Sequence, residues 1–145
     1  MKEMPFTANS FDKFCSEKKL KASRCQQCNA AHLPPRPICI KCNSHEMEWT
    51  QMKGSGRLIS FTVIGVGTPM MINEGYDREH PYCSGIVELD EGPRIAAQIL
   101  GVDVNRPENI KIGTRVIADF VERGSYSLIP EIASIRKPYL VFKVL

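Results

Sequence analysis

The sequence predicts a mostly β fold: a short N-terminal helix, a small metal-bound ribbon and a barrel of five strands. Three observations carry this prediction. Residues 24–43, RCQQCNAAHLPPRPICIKCN, hold two Cys-x-x-Cys pairs. After Gly54-Ser55-Gly56 the composition shifts to short runs rich in Val, Ile, Thr, Phe and Tyr. No long helical pattern separates those runs, which argues against a parallel sheet.

The bulk properties fit such a chain. It has 145 residues, 43% apolar and 24% charged, as expected of a soluble globular protein. The first fifty residues could not build a core unaided. The net charge of +3 is too mild to demand a nucleic-acid partner. No run of about 18 apolar residues suggests a membrane span. The start, MKEMPFTANSFDKF, has no signal-like apolar stretch. A cytoplasmic location is therefore expected, where paired cysteines point to metal more than to disulfides. The segments divide as an N-terminal helical segment over 1–20, a ribbon over 21–53 and a barrel domain over 54–145.

The helix is predicted from NSFDKFCSEKKL. Asn9 or Ser10 can cap it, and Phe11, Phe14, Cys15 and Lys18 fall on one face at helical spacing. Lys13, Lys18, Lys19, Lys21 and Arg24 give this region a basic bias. A solvated face is the plain reading, and a phosphate-bearing or acidic partner is the sharper one.

The ribbon is predicted from Cys25, Cys28, Cys39 and Cys42. Two residues between cysteines let both sulfurs of a pair reach one ion from a tight turn. Two such turns supply four thiolates, which suits tetrahedral zinc at about 2.3 Å per bond. Iron fits the same donor set. Asn29 and Asn43 follow the two pairs, and Asn tolerates the positive φ that a metal knuckle demands. Four thiolates leave no open position for substrate, so the metal should be structural. They also fill the coordination sphere without His32 or His45. Pro34, Pro35 and Pro37 stiffen the connection, and Trp49 reads as a packing lid.

The barrel is predicted from runs at 56–66, 81–90, 94–100, 114–122 and 138–145. Asp90-Glu91-Gly92-Pro93 reads as a hairpin turn, and 104–113 has room for one helical turn. Five strands with a longer connection after the third fit an OB-type barrel. Alternation puts Cys83, Gly85, Val87 and Leu89 inside, with Leu140, Phe142 and Val144 on the core face of the last run. Cys83 and His80 are three apart at a strand mouth and should diverge, which argues against a catalytic pair. The loops 67–80 and 123–137 are the ones that meet ligands in such barrels. Met70, Met71 and Ile72 form an apolar group in the first of them, suited either to an interface or to covering the barrel end.

The linked motifs RCQQC, PPR, the second Cys-x-x-Cys, GSGRLISFTVI, PYCSGIVELDEG and IKIGTRVIADF resemble, in that order, a known family. It is the family of rubredoxin-like zinc-ribbon proteins fused to an OB-fold and associated with acyl-CoA metabolism. The resemblance runs from Phe11 to the C-terminus. It implies an accessory or scaffold protein without chemistry of its own, accompanying a thiolase or another acyl-CoA enzyme, with CoA or acyl-CoA at the shared surface. Asn29 and Asn43 depart from the frequent Gly, and Ile40 from the frequent Pro. The N-terminal helical region is also short for the family, which bears on docking through extra helices.

Competing functions fare less well. A single-stranded nucleic-acid binder needs a basic groove with exposed aromatics. Here Phe61, Phe120 and Phe142 read as core, and Glu88, Asp90, Glu91, Asp119 and Glu122 would repel phosphates. An enzyme needs a catalytic constellation, and none is evident; GVGTP lacks the ending of a phosphate loop. If CoA is bound, its phosphates would seek Arg57, Arg78, Arg123, Arg136 or Lys137.

Overall fold

The computed structural model describes residues 4–124 and 136–145. The chain begins with helix α1 (Ala8–Ser16), followed by strands β1 (Lys21–Cys25), β2 (Ala31–His32) and β3 (Met47–Gln51). The barrel comprises β4 (Ser55–Ile64), β5 (Tyr82–Leu89), β6 (Arg94–Leu100), β7 (Arg115–Gly124) and β8 (Arg136–Val144). Helix α2 (Pro69–Asn73) lies between β4 and β5, and a 3-10 turn, Pro107–Asn109, between β6 and β7.

Helix α1 is shorter at its end and capped earlier than the sequence suggests. Thr7, not Asn9 or Ser10, is the N-cap, and its side chain accepts from the Ser10 N–H at 3.3 Å. Lys18 stands past the helix at φ 60°. Its N–H donates to the Cys15 carbonyl and that of Lys19 to the Phe14 carbonyl, the two hydrogen bonds of a Schellman stop. Lys18 therefore leaves the apolar face, which keeps Phe11, Phe14 and the buried Cys15.

The ribbon sheet has the order β2-β1-β3, antiparallel throughout. Trp49 on β3 does act as a lid. It stacks on Phe6 at 4.8 Å, meets Phe14 edge-on at 4.9 Å and donates from Nε1 to the Met4 carbonyl. These contacts tie Met4, Phe6 and helix α1 to the ribbon.

The five later strands close as β4-β5-β6-β8-β7, with β7 returning to β4. All pairings are antiparallel except β6 with β8. This is the OB-type barrel that the strand runs predict. A bulge between Leu58 and Ser60 bends β4, as barrel closure requires. Gly85 lets β4 and β5 approach closely: a Cβ there would lie 2.7 Å from Leu58 Cδ1 and 2.9 Å from the Ser60 carbonyl. The turn after β5 forms as expected, with Gly92 at φ 113° and the Leu89 N–H donating to Pro93.

The main core is shared between modules. Leu58, Cys83, Val87, Leu89, Ile99, Val116 and Phe142 fill the barrel, and Leu20, Ala22, Leu33 and Met52 of the ribbon side join the same cluster. Helix α1 lies against β8 and β1, and Phe11 packs on this core.

Candidate functional site

Two knuckles hold the cysteines, and they repeat one another bond for bond. The Cys25 N–H donates to Ala30 and the Cys39 N–H to Ser44. The Asn29 N–H closes on Cys25 and the Asn43 N–H on Cys39, each at 2.9 Å. Asn29 and Asn43 sit at φ 64° and 61°, the left-handed conformation their side chains tolerate. The repeat delivers the four Sγ atoms to one point, all within 4.8 Å of one another. Cys25 and Cys42 approach to 3.5 Å, as do Cys28 and Cys39. A tetrahedral ion with bonds of about 2.3 Å separates its sulfurs by about 3.8 Å, inside this range.

The electrostatics of the cluster call for a cation. The Cys28 N–H draws the Cys25 thiol down to about 6, against burial and with help from the Gln27 N–H. The Ser44 N–H favours the thiolate of Cys42, but the Cys25 sulfur and burial outweigh it and push this thiol up to about 12. Thiolates so close repel, and a dication removes the conflict. His32 and His45 stay out of the cluster. His32 is buried on β2, where burial, Arg36 and Lys41 hold its pKa down. His45 is exposed.

No catalytic pair forms at Cys83. Its side chain is fully buried, and burial pushes its pKa up. His80 is exposed and bonded to Asp77 at 3.1 Å.

The basic residues singled out by sequence do not form one patch. Arg57 is on β4 near its start, bound to Glu88 at 2.8 Å; Glu88 also holds Arg94. Arg123, Arg136 and Lys137 lie together at the far end of the β7–β8 ladder, where Arg123 faces Lys137 and Gly124 faces Arg136. These three belong to strands, not to the predicted loop. The remainder of that loop, 125–135, lies outside the described residues. Arg78 is exposed in the segment after α2.

Around Arg123 the structure assembles side chains the sequence did not link. Its guanidinium donates to Gln98 Oε1 and lies over the Tyr139 ring at 5.6 Å. Lys137 Nζ is 5.3 Å from the same ring. Arg136 is held by both Glu74 oxygens, at 3.1 and 2.7 Å, and donates to the Glu122 carbonyl. Glu74 and Tyr76 reach this point because the 67–80 segment folds into α2. Thr68 caps that helix and Pro69 opens it; Thr-Pro is the signal that could have revealed it. Met71 is buried by this folding, while Ile72 stays exposed.

A four-thiol ribbon joined to a closed OB barrel through a common core defines a zinc-ribbon OB-fold protein. The family models agree: residues 13–48 match the "ChsH2, rubredoxin-like zinc ribbon domain" and residues 49–121 the "ChsH2, C-terminal OB-fold domain". The chain belongs to this ChsH2-type, or DUF35, family, and its ribbon metal fits zinc in a structural role. Among curated relatives, a "DUF35 domain-containing scaffold protein" from Pyrococcus furiosus is 38% identical over 68% of this chain and 72% of its own length. Its counterpart in Methanocaldococcus jannaschii is 34% identical over 67% of this chain and 64% of its own. "Benzoylsuccinyl-CoA thiolase subunit BbsA" of Thauera aromatica is 32% identical over 57% of this chain and 52% of that protein. This chain thus spans between about half and three quarters of the length of these three relatives, and 33% of a "Probable enoyl-CoA hydratase alpha subunit" from Thermomonospora curvata. Among solved structures, a chain of an "Ltp2-ChsH2(DUF35) aldolase" superposes with TM-score 0.71 at 24% identity, covering 99% of this chain and 98% of that one. That likeness concerns the fold. No helix among the described residues is long and apolar enough to cross a membrane.

Proposed function

We propose that this protein is a non-catalytic accessory or scaffold subunit that associates with a thiolase or another acyl-CoA enzyme. The observation that carries the reading is the rigid, closed ribbon fused to a barrel through one core, in a chain whose relatives are called scaffold proteins and, in one case, a thiolase subunit. Cys25, Cys28, Cys39 and Cys42 hold the zinc, which fixes the ribbon and leaves no coordination position for substrate. The nucleophile and base come from the partner. The names of a relative and of a structural neighbour include a hydratase subunit and an aldolase; in this reading those activities reside in the associated chains. CoA lies at the shared surface, and Arg123, Arg136 and Lys137 form its basic contact, with Arg78 on the adjoining segment. Arg57, paired at the other end of the barrel, would serve a second contact with the partner.

Nucleic acid is a poorer ligand for this surface. Phe142 is fully buried, and Phe61 and Phe120 pack on the core, so they offer no stacking platform.

Gentle affinity purification from native extract, with mass spectrometry of the co-purifying proteins, tests the reading. A stoichiometric thiolase-like or other acyl-CoA enzyme is expected. Salt-sensitive recovery of nucleic acid in its place would overturn it.

A further inference from the structure

His32 is buried on the ribbon and takes no part in the metal cluster. It is 7% exposed, and its Nε2 has no hydrogen-bond partner among the described residues. Buried polar atoms left unpaired are costly and rare. Packing alone does not call for a histidine here. Its neighbours Ala31 and Leu33 face the main core as apolar groups, and an apolar side chain would fill the same space without the unpaired atom.

The ring lines a cavity of about 400 Å³ where the ribbon meets the barrel. Cys28 and Ala31 contribute from the first knuckle and β2, Ile40 and Lys41 from the second knuckle, and Glu91 from the turn between β5 and β6. The Lys53 N–H donates to Glu91 Oε2 at 2.8 Å. This bond holds the carboxylate in place and leaves Oε1 for a ligand.

Acceptors dominate the cavity wall. Four thiolates exceed the charge of one zinc ion, so the loaded centre at Cys28 is anionic. Glu91 adds a carboxylate. A neutral imidazole protonated at Nδ1 offers the Nε2 lone pair. Lys41 is the one cation of the lining, and it is exposed on a flexible stem. Such a wall favours a cation with several N–H donors and no acceptor. A guanidinium is that group: planar, permanently charged and weakly hydrated. Ala31 and Ile40 give its aliphatic stem an apolar surface. Turning the His32 ring toward a ligand breaks no hydrogen bond at Nε2, since none is present.

We infer that the junction of ribbon and barrel is a receptor pocket for an arginine side chain presented by the partner protein. His32 Nε2 and the Glu91 carboxylate accept from its guanidinium, and the anionic zinc centre draws it in. The pocket goes beyond the scaffold reading and rests on it only for the protein that presents the arginine. It gives the closed metal site a second use, as a fixed negative charge, without opening a coordination position.

The test is a titration of the full-length, zinc-loaded protein with N-acetyl-arginine methylamide. The readout is the His32 ring nitrogens and the Ala31 and Gly92 backbone amides by NMR, with zinc content checked in every variant. Wild type should shift saturably. The α-N-acetyl-lysine methylamide should bind more weakly, because an ammonium is more strongly hydrated, and N-acetyl-glutamate methylamide should not bind. Glu91→Gln, a change at an exposed residue, should weaken arginine binding about two- to fivefold, the yield of an exposed ion pair. His32→Ala should weaken it about three- to tenfold, the loss of one hydrogen bond, and His32→Gln, which returns an acceptor, should recover part of that. Lys41→Ala should bind more tightly than wild type, because a repelling charge is gone; a purely structural role would not give that sign. No saturable shift in wild type, wild-type affinity in both Glu91→Gln and His32→Ala, weaker binding in Lys41→Ala, or a glutamate probe that binds as well as the arginine probe overturns the pocket. Equal affinity for the lysine probe overturns the assignment to a guanidinium. The probe needs no partner protein, so failure here and failure of the scaffold reading are separable.

Discussion

Asn29 and Asn43 show how far single residues determine this ribbon. Each holds a left-handed φ immediately after a Cys-x-x-Cys, and the sequence announces this because few residues accept that conformation. Asn29→Ala should destabilise the ribbon by about 1–2 kcal/mol, whereas Asn29→Gly should be tolerated; zinc affinity measured by chelator competition would show the difference. Gly85 makes a comparable demand inside the barrel. Alternation marks it as inward, but its cost to change comes from Leu58 and Ser60 across the β4–β5 ladder. Gly85→Ala should cost about 1–3 kcal/mol in denaturant unfolding, the usual penalty for overpacking. Arg123 was named in the sequence as one basic residue among five. Its special standing was illegible there, because Gln98, Tyr139 and Arg123 meet only when the barrel closes.

At the scale of elements, the cysteine spacing and the strand runs were readable because their chemistry is local. Helix α2 was not, since five residues show no stripe, and PMMIN reads as a loop until Thr68 is recognised as its cap. The ribbon's dependence on zinc also acquires a consequence from the structure. Leu20, Ala22, Leu33 and Met52 belong to the barrel's own core cluster. Cys28→Ser, or removal of zinc by a chelator, should therefore unfold the ribbon and loosen the barrel with it. Hydrogen exchange should show lost protection in β1 and β3 first, and weakened protection around Leu58 and Phe142. Unchanged metal content and stability in Cys28→Ser would contradict the structural role.

The outer faces of the strands carry ion pairs with a defined pH dependence. Hydrogen bonds from Arg57 and then Arg94 hold Glu88 below its usual pKa, Arg115 does so for Asp90, and Lys143 for Asp119. A depressed carboxyl contributes stability that is present above its unfolded pKa, about 4, and fades as pH falls through the lower folded value. All three are solvent-screened, so the individual effects are small. Glu88→Gln should flatten the fall in unfolding midpoint between about pH 5 and pH 3 relative to wild type, measured on zinc-loaded protein. A steeper fall in the variant would contradict the pairing.

For the molecule as a whole, the fold was legible in outline because the cysteine quartet, the Gly54-Ser55-Gly56 boundary and the strand runs follow one another without overlap. The division of labour with a partner is a different matter. Among the described residues, Cys83 is buried and His80 is bonded to Asp77, so the two form no catalytic pair. In the proposed reading, the chain serves as a body that positions a partner enzyme. The direct measurement is acyl-CoA turnover by the captured enzyme alone, by this protein alone and by the two recombined. The account predicts no turnover by this protein alone and a gain when it rejoins the enzyme. Turnover by this protein alone, or an enzyme indifferent to its presence, would contradict it.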